Sequence, residues 1–102
     1  MNRLEQLLQM QREDPQDPFL AYAIALEHAK EGKRAQAISE VEKLLEEKPG
    51  YLGAYYQLGQ WYEQEDKNEE AIRVYEKGIS VAQQQHNHKA LGELRTALDM
   101  IT

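Results

Sequence analysis

Residues 55–78, YYQLGQWYEQEDKNEEAIRVYEKG, hold two apolar runs at helical spacing that meet across a polar turn at residues 65–68. Gly59, Ala71 and Gly78 stand among the large side chains of Tyr55, Leu58, Tyr62, Ile72 and Tyr75. Small residues at those points let two antiparallel helices approach closely, while the aromatics fill the wedge between them. The spacing predicts a tight helical hairpin over this stretch. The rest of the chain repeats the unit or closes its ends.

Working outward toward the N-terminus, residues 35–47 carry Ile38, Val41, Leu44 and Leu45 as one apolar stripe, ended by Pro49-Gly50. Residues 19–30 form a helix started by Pro18 and broken at Gly32. Residues 2–13 place Leu4, Leu7 and Leu8 on one face. Asp14-Pro15 and Asp17-Pro18 then stop that helix, because proline disfavours helical geometry in the residue before it. In the other direction, the hairpin's helices extend to residues 52–64 and 69–83, followed by a polar turn over 83–88. A last amphipathic helix over 90–101 carries Leu91, Leu94, Leu98 and Ile101. No β-type alternation persists beyond a few residues, so the predicted class is all-α with six helices.

The bulk properties limit what such a chain does. A length of 102 residues predicts one domain with a modest core. The absence of cysteine removes disulfides and thiolate metal sites. A formal charge of −6 argues against a nucleic-acid surface, where Lys and Arg should cluster. Arg3 and Glu5 interrupt the N-terminal leucines, so no signal-peptide core forms there. With no apolar run long enough for a bilayer, the expectation is a soluble, cytoplasmic protein without membrane contact.

Ala37-Ile38 recurs as Ala71-Ile72, 34 residues on. At that offset Ile24 falls on Leu58, Ala25 on Gly59, His28 on Tyr62, Val41 on Tyr75 and Leu44 on Gly78. A period of 34 with Leu58-Gly59, Tyr62, Ala71, Tyr75 and Gly78 in these places resembles the tetratricopeptide repeat. Residues 52–85 match the family's pattern closely, except that Gln83 stands at its proline position, so the fifth helix is expected to run on. Residues 18–51 match more loosely, through Ala25, Ala37 and Pro49. Residues 1–14 resemble the second half of a preceding repeat, since Leu4, Leu7 and Pro15 lie 34 before Ile38, Val41 and Pro49. Leu91-Gly92 echoes Leu58-Gly59 with one residue deleted, so residues 88–102 resemble the first half of a following repeat and a capping helix. The resemblance implies a right-handed stack of antiparallel helix pairs.

It also implies a function. In this family the first helix of each repeat lines a concave groove that takes a protein or peptide segment. By position, the groove residues are Phe19, Tyr22, Ala23, Leu26 and Lys30 in the first repeat. In the second they are Gly53, Tyr56, Gln57, Gln60, Glu63 and Gln64, and the last helix contributes Lys89, Glu93 or their neighbours. Tyrosine offers contact area at low entropic cost, and glutamine can bond an extended backbone. Some members grip a carboxylate terminus with Lys, Asn and Arg; the matching positions here hold Tyr22, Leu26 and Gln57. That disfavours a partner ending in an acidic motif, and the acidic net charge favours neutral or basic segments. The alternative is structural self-association, a homodimer through Leu4, Leu7 and Leu8 or through Leu94, Leu98 and Ile101.

Chemistry has little to work with. His86 and His88 lie two apart in a polar turn, and His28 holds a packing position, without the further ligands a metal needs. Glu40, Glu42, Glu46 and Glu47 with Lys43 and Lys48 read as a solvated helix face. No nucleophile–base arrangement or phosphate loop is present. The expectation is a non-catalytic binding module without cofactor.

Overall fold

The computed structural model describes all residues, Met1–Thr102, as six α-helices. They are α1 (Arg3–Glu13), α2 (Pro18–Lys30), α3 (Arg34–Glu47), α4 (Gly53–Gln64), α5 (Asn68–Gln84) and α6 (His88–Asp99). Contacts divide them into two compact units, Met1–Lys48 with α1–α3 and Pro49–Thr102 with α4–α6.

Caps and turns fix the helix ends. Asn2 Oδ1 accepts the Glu5 amide at 2.8 Å, Asp17 Oδ1 accepts that of Phe19 at 2.9 Å, and Asn87 Oδ1 accepts that of Ala90 at 3.0 Å. Three turns share one closing geometry: the Lys33, Lys67 and Asn87 amides donate to the carbonyls of His28, Tyr62 and Ala82 at 2.8–2.9 Å. This bond needs a left-handed residue just past the helix. Gly32 supplies it at φ 83°, whereas Asp66 and His86 adopt it at φ 59° and 55°.

In the first unit α2 packs against both α1 and α3. Leu7 of α1 is buried with Leu20, Ala23 and Ile24 of α2, and Leu4 and Leu8 pack against that cluster. Arg3 Nε reaches Glu27 at 3.1 Å across the same pair of helices. Between α2 and α3, His28 Nδ1 lies 2.8 Å from Glu40 Oε1. A buried, bonded histidine is what its packing position predicted, with Glu40 drawn off the solvated face to partner it.

The second unit contains the close crossing expected from residues 55–78. A Cβ on Gly59 would lie 2.1 Å from the ring of Tyr75, and one on Gly78 would lie 2.8 Å from Tyr55 Cβ and 3.1 Å from Leu94. Neither methyl group fits, so both glycines are required by the packing. Ala71 is wholly buried at the same crossing, as is the aromatic ring system of Tyr75. Trp61 is buried too. Tyr55 donates its hydroxyl to the Pro49 carbonyl at 2.6 Å, which ties α4 to the segment that precedes it.

α5 has 17 residues against 14 in α3, and it buries Val81 and Ala82 where its extra turn begins. The residue standing in for proline, Gln83, lets the helix continue, and Gln85 then reaches back to the Gly50 carbonyl at 2.7 Å. This lengthening corrects the register expected for α6. Leu91-Gly92 is not the equivalent of Leu58-Gly59: Gly92 is exposed, and a Cβ there would meet nothing within 4 Å. Leu94 and Ala97 are the buried residues of α6, with Leu91 and Leu98 half-buried beside them. That pattern reproduces Leu58, Trp61, Tyr55 and Tyr62 at an offset of 36. A deletion of one residue was expected; two residues have been added.

Candidate functional site

Two short turns make α4 antiparallel to α5 and α5 antiparallel to α6, so α4 and α6 run side by side in one direction. Between them lies an open groove of about 630 Å³. Tyr56, Gln60 and Glu63 form its α4 wall. On the α6 side, Lys89, Gly92, Glu93, Thr96 and Met100 face it, with His88 at one end and Ala97 beneath. In the corrected register five of these answer to expected groove positions of α4. Lys89 stands for Gly53, Gly92 for Tyr56, Glu93 for Gln57, Thr96 for Gln60 and Met100 for Gln64.

The α4 wall is held from behind by Tyr75. Its hydroxyl donates to Glu63 Oε2, while the Gln60 amide donates to the Tyr75 oxygen at 2.6 Å and to Glu63 Oε2 at 3.3 Å. Burial, and then the bond to Glu63, push the Tyr75 phenol well above its usual pKa range. Gln60 is thus committed to the hairpin through its nitrogen and acts as fixed wall. The Tyr56 ring sits 6.3 Å from that of Tyr75 at 45°, a tilted aromatic contact that seats Tyr56 while leaving it 43 % exposed. On the α6 wall, Met100 is the most exposed large apolar residue of the unit.

Of the remaining expected groove residues, Gly53 and Gln64 are exposed and Gln57 is half-buried. In the first unit Phe19 is 53 % exposed on α2, and Tyr22 and Leu26 are half-buried. Lys30 is exposed and reaches Glu27 at 3.4 Å. Ala23 needs correction. It is buried in the cluster with Leu7, because α1 covers that part of α2, and it offers no surface to a partner. The same packing removes Leu7, and the α5–α6 packing removes Leu94, from the surfaces proposed for self-association; both side chains are core.

Sequence reasoning missed Thr96, Met100 and the groove role of Gly92. Part of the signal was present at Gln83: without proline there, α5 continues, which shifts α6 by three residues from the expected register, although the residue alone does not say how far the helix runs. No three acidic or histidine side chains come together in a metal-like cluster. No helix is long and apolar enough to cross a membrane.

Successive helical hairpins with small residues at their crossings and an open face on the first helix of each define a helical-repeat protein. The tetratricopeptide-repeat family model matches residues 28–94, and the chain belongs to that family. A tetratricopeptide repeat domain protein of Salinibacter ruber is similar in its crystal structure, at 41% identity and TM-score 0.78 over 83% of this chain and 94% of that one. Its solution structure gives 42% identity and TM-score 0.83, covering 86% and 89%. A solution structure from Bordetella parapertussis shares the fold at 20% identity, TM-score 0.83, over 99% and 88%. No curated protein matches the sequence. The chain therefore has the all-α tetratricopeptide-repeat fold, a class whose general role is to hold proteins together without catalysing a reaction.

Proposed function

We propose that the α4–α6 groove binds a segment of a partner protein, with Tyr56 as its central contact. The observation that carries this reading is the open channel itself, walled by an exposed aromatic ring that internal contacts have already oriented. Holding a side chain in place before binding lowers the ordering cost that a partner must overcome. Phe19, Tyr22, Leu26 and Lys30 of α2 form a second contact surface in this reading, without Ala23. Binding involves no cofactor and no chemical step. The burial of Leu7 and Leu94 favours a protein partner over a homodimer through the terminal leucines.

Affinity capture from the native lysate tests it. Tyr56→Ala and Tyr22→Ala are expected to keep wild-type helicity and to lose partners retained by the wild type, while Glu76→Ala, on the exposed face of α5, retains them. Equal recovery by all four proteins rules the groove out.

A further inference from the structure

Side chains usually oppose a helix dipole, with acids in the first turn and bases in the last. In α4 and α6 they do not. Neither helix has an acid in its first turn or a base in its last turn. Instead Lys89 lies in the first turn of α6, Glu63 in the last turn of α4 and Asp99 in the last turn of α6. Since the two helices run in one direction, their carbonyl ends fall together at the Glu63–Met100 end of the groove. Backbone and side chains both make that end negative. The arrangement works against both helix dipoles, and no cation pairs with Glu63, whose bonds come from a phenol and an amide.

We propose that this end of the groove receives a lysine or arginine of the partner segment, flanked by apolar residues that lie along Tyr56, Gly92 and Met100. The inference rests on the groove reading above and adds the partner's chemistry. Glu63 is the recognition group. Its Oε2 is pinned by Tyr75 and Gln60, so the carboxylate is positioned before the cation arrives. Tyr75 is a positioning residue: it is fully buried and acts only through Glu63. Gly92 supplies room, since the space above its Cα is open and an apolar side chain can settle between Tyr56 and Met100. A cationic side chain also suits the overall charge of −6.

The experiment titrates three blocked peptides, identical except for a central Arg, Gln or Glu between leucines, into isotope-labelled protein and follows amide shifts. The Arg peptide is expected to move Gln60, Gly92 and Thr96 and to bind roughly fivefold tighter than the Gln peptide, with the margin shrinking as salt is added. Glu63→Gln keeps an acceptor for the Tyr75 hydroxyl, so it stays folded, and it should erase the preference for Arg. Tyr75→Phe should reduce the preference while the Gln peptide binds as before. Equal binding of the Arg and Gln peptides in the groove overturns the charge inference and leaves the groove reading standing. An Arg preference that survives Glu63→Gln also overturns it. Absence of any groove shift with all three peptides overturns the inference, and the Tyr56→Ala capture then decides separately whether the groove binds at all.

Discussion

A methyl group has opposite consequences at Gly59 and Gly92, although both lie inside helices. At Gly59 it would enter the ring of Tyr75, and the overpacking is expected to cost about 1–3 kcal/mol. At Gly92 it meets open space, so Gly92→Ala should gain roughly 0.5–1 kcal/mol from helix propensity alone. Urea unfolding of the two variants should therefore shift the midpoint in opposite directions. A third residue-scale test lies in the turns. Asp66 occupies the left-handed geometry that Gly32 adopts without strain, so Asp66→Gly should raise stability by about 0.5–1 kcal/mol. A midpoint that does not rise would mean that the Asp66 side chain stabilises the turn in some other way.

At the scale of elements, the α4–α5 hairpin is joined through Tyr75 as much as through its apolar contacts. Tyr75→Phe removes the hydroxyl shared by Glu63 and Gln60 and should cost about 1 kcal/mol at neutral pH. The sign of the pH dependence follows from burial. The phenol loses its proton less readily folded than unfolded, so its contribution is complete below its ordinary value near 10 and declines as pH rises past it. Tyr55 shifts in the same direction, also through burial. Unfolding midpoints followed above pH 10 should fall less steeply in Tyr75→Phe than in the wild type. All six helices were legible in the sequence, because prolines, capping residues and apolar spacing are local signals. The close crossing was legible too, since Gly59, Ala71 and Gly78 lie within one hairpin. The register of α6 was not. It depends on where α5 stops, and the missing proline at Gln83 says only that the helix continues, while the burial of Val81 and Ala82 sets how far. Ala23 failed for a related reason: a position rule cannot tell that α1 lies over it.

For the molecule as a whole, charge acts against compactness. The chain carries −6, and α4 and α6 add acids at ends that already have negative dipoles. Moderate salt should therefore stabilise the protein, with the urea midpoint rising between about 10 and 150 mM sodium chloride as repulsion is screened. A midpoint that falls instead would point to attractive ion pairs such as Arg3–Glu27 dominating the balance.

The extra turn of α5 also governs how the chain can be lengthened. An engineer grafting a standard 34-residue module after residue 85 would begin its first helix two positions early relative to the surface that α5 presents. Each residue rotates an α-helix by about 100°, so two of them turn the incoming module through roughly 200°. Its apolar stripe would then point to water. A splice that keeps Val81 and Ala82 and counts 36 from α4 seats the stripe correctly, so the spacer length becomes the design variable for any longer array built on this scaffold.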